Sequence, residues 1–128
     1  MSLEPDHVLL WVADMDRALR FYSDIIRLRI SISTPRFSVV CGERFCLALH
    51  LSGNQAPGTE SGASIVVFYS ENIDDVYLDF LNHGVEIITS PTEAAPGVRI
   101  FECCDTEGNI FSVSTARFLE KRLRGEDA

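Results

Sequence analysis

The 128-residue sequence is poor in positive charge: 11 Lys and Arg stand against 19 Asp and Glu, for a net charge of −8. A surface of that sign repels phosphate, which argues against nucleic acid and against an anionic membrane as partners. Long apolar runs are also missing. No segment reaches the ~18 apolar residues that suggest a membrane span. The start, Met1-Ser2-Leu3-Glu4-Pro5-Asp6, lacks the basic residues and apolar core of a secretion signal, so a cytoplasmic location is expected. Cysteine is scarce. Cys41, Cys46, Cys103 and Cys104 form no C-x-x-C pair, which leaves a zinc ribbon unsupported, and they read as reduced, mostly buried thiols. A Gly-rich phosphate cradle, a G-x-S-x-G elbow and a calcium loop with alternating oxygen donors are all absent, which removes the commonest signs of nucleotide, serine-hydrolase and calcium chemistry.

What is present fits a globular domain: 46% apolar and 23% charged residues. A chain of this size buries roughly 65–70% of its unfolded surface, enough for a core. Residues 7–12 (HVLLWV) read as a buried strand. Asp14 stands where a helix N-cap belongs, and Ala18, Leu19, Tyr22, Ile25 and Ile26 recur at helical spacing, which predicts a helix over 14–26. Residues 28–33 alternate as a strand, Pro35 interrupts, and 37–41 and 45–51 read as two strands around a turn at Gly42-Glu43-Arg44. The segment 52–62 is rich in turn residues and is the one clear linker. The pattern then restarts: a strand over 65–69, a helix over 72–82 closed by Gly84, a strand from 85, a loop over 91–97, and two last strands over 98–103 and 110–115. Residues 116–123 read as a short basic helix.

The second half repeats the first. A shift of 57 residues sets Val8 on Ile65, Leu10 on Val67, Leu28 on Val85 and Ile30 on Ile87. Both halves run strand, helix, strand, strand, strand, with the linker between them, so duplication is the better reading. The fold class is α+β: two tandem βαβββ modules, about 7–51 and 64–115, within one domain over 1–128, with a tail over 116–128.

The opening HVLLWVADMDRALRFYSDIIRL, with Val12-Ala13-Asp14-Met15-Asp16-Arg17-Ala18 followed by Phe21-Tyr22, resembles the first strand-to-helix junction of the vicinal oxygen chelate superfamily. That superfamily comprises glyoxalases, bleomycin resistance proteins and extradiol dioxygenases. Asn82-His83-Gly84-Val85 and Asp105-Thr106-Glu107-Gly108-Asn109 resemble its second helix stop and the turn before its final strand. The resemblance covers 7–115 and departs at Arg27, where the family usually carries Gly. It implies a curved mixed sheet around a cleft, and in the enzymes a divalent metal such as Zn, Ni, Mn or Fe held by first and last strands. Carried over position by position, those ligand places fall at His7, Ser64, Ser112, and either Ala48 or His50. Only His7 and His50 are good donors among them, too few for the three or four protein ligands such a metal needs.

The expected ligand-binding residues are His7, Leu9, Trp11, Cys46, His50, Phe68, Ser112 and Ser114, assigned to one cup by strand parity. Aromatic and aliphatic walls with a few hydroxyls and imidazoles suit a small, mostly apolar molecule. His7 reads either as a metal ligand or base, or as a polar strand end. Trp11 reads as a stacking wall or as core packing, His50 more as wall than ligand, and His83 as a helix-end residue. Three functions are open: a homodimeric binding module without a complete metal site; a metal-dependent lyase, isomerase or dioxygenase with Glu102 as base; or an interaction or vestigial domain.

Overall fold

The computed structural model describes residues 6–52 and 65–118. All of the linker 52–62 but Ser52, together with Ser64 and most of the basic C-terminal segment, therefore lies outside the described residues. Contacts divide the chain into two compact units: residues 1–64 together with 105–109, and residues 65–104 with 110–128.

The first unit holds β1 (His7–Val12), α1 (Met15–Arg20), which runs on into a π-helical turn over Phe21–Ile25, β2 (Arg29–Ser33), β3 (Phe37–Cys41) and β4 (Cys46–Leu51). The sheet order is β1-β4-β3-β2, with β1 parallel to β4 and the other pairs antiparallel. Asp14 is the N-cap, and its carboxylate accepts from the Arg17 amide at 3.0 Å. Ala18, Leu19, Phe21 and Tyr22 are buried with Val12, Val40, Leu47 and Leu49, which alternate along β1, β3 and β4. Strand parity therefore assigns one face of this sheet to the helix and leaves the other open.

The second unit repeats the plan with β5 (Val66–Tyr69), α2 (Ile73–Asn82), β6 (Glu86–Ala95), β7 (Val98–Cys104) and β8 (Ile110–Ser114). Its order is β5-β8-β7-β6, again with the first and last strands parallel. Its core is aromatic: Phe80 meets Phe101 and Phe111 edge-on at 5.9 and 6.1 Å, and Tyr77 meets Phe101 at 5.4 Å. The nitrogen Nδ1 of His83 lies 2.8 Å from the Asp79 carbonyl, so the ring tautomer that donates there closes the helix, as its place beside Gly84 suggests.

Three expectations need correction. Residues 91–95 extend β6 rather than forming a loop. Pro91 is tolerated because β6 is an edge strand whose pairing with β7 shifts register three times. The 57-residue shift holds at Arg27 and Gly84, which share a left-handed backbone at φ 70° and 73°. It slips by one at the first strands, since the helices open at Met15 and Ile73. Leu9 thus corresponds to Val67 and Trp11 to Tyr69. Finally, Cys41 and Cys46 are not separate thiols but form a disulfide across the β3–β4 hairpin. They are register partners with Cα atoms 4.1 Å apart, next to the pair in which the Gly42 amide donates to the Phe45 carbonyl. That is the close, non-hydrogen-bonded kind of cross-strand pair. Cys103 and Cys104 remain free thiols, Cys103 buried and Cys104 partly so.

Candidate functional site

On the open face of the first sheet, the register builds three cross-strand rows. His7 lies beside Cys46, which lies beside Cys41; Leu9 beside Ala48 and Val39; Trp11 beside His50 and Phe37. Direct partners share a face with Cβ atoms about 4.5–5.5 Å apart, so the third row is continuous aromatic surface. The Trp11 and Phe37 rings meet His50 edge-on, at centroid distances of 5.8 and 4.9 Å. Leu9, Trp11 and Ile32 stay 41%, 40% and 46% exposed, a large apolar area for one sheet face. His7, Leu9, Trp11, Cys46 and His50 are therefore brought together as strand parity predicts. Phe37, Val39 and Ile32 complete the face; the same parity, applied to the neighbouring strands, would have found them.

The second sheet splits the residues expected there. Ser112 pairs with Val67 and Ser114 with Tyr69, on the open face. Phe68 pairs with Val113 and meets Phe111 edge-on at 5.6 Å, so it belongs to the helix-side core. The correction follows from alternation: 68 and 112 fall on opposite parities once the register of the parallel pair is known. Ser114 Oγ accepts from the Ala116 amide at 3.0 Å. Glu102 also joins this open face, as partner of Ser112 on one side and Thr89 on the other.

The donors implied for a metal do not fit one. His7 and His50 share a face but stand four residues apart on neighbouring parallel strands, about 13 Å at the rise of a strand. The sheet neighbour of His7 is Cys46, whose sulfur is committed to Cys41, and its ring nitrogen Nδ1 contacts Asp6 at 2.8 Å. No cluster of three or more His, Cys, Asp or Glu poised to hold a metal exists among the described residues. In the first unit the residue paired with Leu9 is Ala48 and in the second the residue paired with Val67 is Ser112, so neither last strand offers a ligand there.

Asp105–Asn109, a turn by its sequence, also forms a polar anchor within the first unit. The Glu107 carboxylate, fully buried, accepts from the Ala13 and Asp14 amides at 2.8 and 2.9 Å and from Arg17 Nε at 2.7 Å. Burial alone would raise its pKa. The Arg17 hydrogen bond, the Asp14 and Ala13 amides and the Thr106 hydroxyl outweigh that and hold it below the usual glutamate value. Arg17 is raised in turn, by its hydrogen bond to Glu107 and by the charge there. The Tyr22 hydroxyl donates to Asp105 at 2.6 Å, and the Asn109 side-chain amide donates to the Trp11 carbonyl at 3.1 Å. Gly108, at φ 83°, permits the turn. The anchor thus holds the end of β1 that carries Trp11.

Outside the open faces, a hollow of about 510 Å³ lies in the first unit, lined by Asp14, Met15, Asp16, Ser33, Thr34 and neighbours. None of the residues expected to bind ligand lines it. No helix among the described residues is long and apolar enough to cross a membrane.

Tandem βαβββ modules, each with a four-stranded mixed sheet and one helix-free face, define the class: an α+β protein of the vicinal oxygen chelate fold. The model of the Glyoxalase/Bleomycin resistance protein/Dioxygenase superfamily matches residues 4–113, and the chain belongs to that superfamily. No curated protein matches it. Among solved structures, it is similar to a superfamily member from Sphaerobacter thermophilus DSM 20745, with 23% identity and a TM-score of 0.76 over 89% of this chain and 98% of that one. It is also similar to the lactoylglutathione lyase of Agrobacterium tumefaciens, with 17% identity and a TM-score of 0.71 over 89% and 94%. The fosfomycin resistance protein FosX of Mesorhizobium loti shows 15% identity and a TM-score of 0.72 over 95% and 99%. At such identities the likeness is one of fold.

Proposed function

We propose that this chain is a binding module of the superfamily, which holds a small, mostly apolar molecule on the open faces of its sheets without a complete metal site. The observation that carries the reading is the Trp11–His50–Phe37 row, exposed beside Leu9 and Ile32. Such a surface offers a flat ligand ring contacts and an apolar wall, with His7 at the far end of the same face as a polar group. The alternative, a metal-dependent lyase, isomerase or dioxygenase, requires donors that His7, Ala48, His50 and Ser112 do not supply together. Each sheet ends in two edge strands, β1 and β2 or β5 and β6, which supports the expectation of a homodimer that covers some of them.

Trp11 is the single tryptophan, so its fluorescence reports the site without labelling. Titration with naphthalene is expected to quench or shift that emission saturably, and His50→Ala or Phe37→Ala should weaken binding about 10-fold, as for an aromatic anchor. Elemental analysis after incubation with Zn²⁺, Ni²⁺, Mn²⁺ and anaerobic Fe²⁺ completes the test. Near one metal per chain, lost in His7→Ala, would replace the binding-module reading with the metalloenzyme one. An unresponsive Trp11 and no metal would leave an interaction or vestigial domain.

A further inference from the structure

The second sheet carries a row of residues that the apolar reading does not use. Val67 pairs with Ser112, Ser112 with Glu102, and Glu102 with Thr89, one residue from each of β5, β8, β7 and β6. Direct partners on one face keep Cβ atoms about 4.5–5.5 Å apart, so the Ser112 hydroxyl and the Glu102 carboxylate reach a common ligand atom. Ser112 is 3% exposed and Glu102 is partly exposed, and neither the hydroxyl nor the carboxylate enters a side-chain hydrogen bond among the described residues. The Glu102 backbone amide donates to Thr89 Oγ1 at 3.0 Å. A hydroxyl and a solvent-touching carboxylate side by side, neither engaged by a neighbour, leave two acceptors free for an outside donor.

The charges around the row set the sign of that donor. Glu86, paired with Cys104, adds a second carboxylate to the same face. Arg99 has the opposite parity and is held by Asp74 at 2.8 and 3.0 Å. Arg117 lies over the Tyr69 ring, 4.6 Å from its centroid, at the Ser114 end of the face. Among the described residues, no basic side chain pairs with Glu102 across the sheet. A metal would need at least two more donors than this row provides. We propose that Glu102 and Ser112 bind a protonated nitrogen, an ammonium or amidinium group, of an otherwise apolar ligand, with Val67, 57% exposed, and Tyr69 against its body. This assignment rests on the reading of the open faces as ligand-binding surfaces and names the class of ligand they take.

Three isosteric probes separate the charge from the ring: benzamidine, benzamide and benzoate, titrated into the ¹⁵N-labelled full-length chain while amide shifts at Val67, Glu102 and Ser112 are followed. Benzamidine is expected to perturb those amides and to bind about 10-fold or more tightly than benzamide, the worth of a charge-assisted hydrogen bond. Benzoate should bind weakest. Glu102→Gln should abolish the preference for benzamidine over benzamide, and Ser112→Ala should reduce benzamidine affinity about 3- to 10-fold. Equal affinity for benzamidine and benzamide, or a preference that survives Glu102→Gln, would overturn the assignment. So would silence from all three probes while naphthalene still reports at Trp11, and that result would spare the apolar reading. Silence at both places would remove both.

Discussion

Glu107 is the residue on which most local order in the first unit converges, because one buried carboxylate satisfies two backbone amides that begin the helix and an arginine on its first turn. Glu107→Ala leaves the Ala13 and Asp14 amides without that partner, and a cost of about 2–4 kcal/mol is expected in urea unfolding. The carboxyl titrates below its unfolded value, so the stability it contributes is complete above the ordinary glutamate range and is lost as pH falls through the depressed folded pKa. Stability should thus decline on acidification from about pH 5 downward. Glu107→Gln should remove that part of the slope, so wild-type and variant unfolding curves converge at low pH; parallel curves would contradict the assignment. Arg27 tells the opposite story. It occupies the left-handed position that Gly84 fills in the second unit, at a steric cost of roughly 1–2 kcal/mol for a residue with a Cβ. Arg27→Gly should therefore raise the unfolding free energy by up to about 1 kcal/mol, the greater freedom of glycine in the unfolded chain offsetting the rest.

At the scale of elements, what periodicity encodes was readable and what pairing encodes was not. The bounds of β3 follow from Phe37 to Cys41 alone, and those of α2, and of α1 together with its π-helical turn, from apolar spacing to within a residue or two; the change to π winding at Phe21 was not legible. Alternation placed Leu9 and Trp11 with His7 correctly. It failed for Phe68, since the face of a strand in one element says nothing of Ser112 in another until the register between them is known. The same limit hid the hairpin disulfide: five positions of separation look unremarkable, but a turn of four residues makes Cys41 and Cys46 direct neighbours. Pro91 misled in its own way, because a proline breaks a central strand but not a bulged edge. The bridge closes a short loop, so its loss by Cys41→Ala with Cys46→Ala is expected to cost about 2 kcal/mol, measured against the wild type with and without reductant. Reductant should bring the wild type to the level of the double variant; if reduction leaves its unfolding midpoint unchanged, the two sulfurs are not bonded in solution.

For the whole molecule, duplication explains the plan but not the division of labour. The βαβββ order repeats, yet the compact units do not coincide with the halves of the sequence, since residues 105–109 belong with the first. A chain cut at residue 64 would keep every strand and the helix of the first sheet but lose the groups that satisfy the Ala13 and Asp14 amides, the Tyr22 hydroxyl and one backbone carbonyl at Trp11. Each buried group deprived of its partner costs about 1–3 kcal/mol, and a domain has only about 5–15 kcal/mol in all. The fragment 1–64 is therefore expected to show no cooperative thermal transition by circular dichroism, where the full chain shows one. A cooperative melt of the fragment would mean that apolar burial against α1 suffices without the polar anchor. The same reasoning extends to the proposed site. The Trp11 carbonyl accepts from Asn109, so the strand end that presents the aromatic row is held by a turn more than 90 residues further along the chain. Asn109→Ala should then weaken naphthalene binding at Trp11 although Asn109 is buried and its side chain is committed to that carbonyl and to Asp105. An unchanged affinity in a variant that still folds would show that β1 keeps its place by sheet pairing alone.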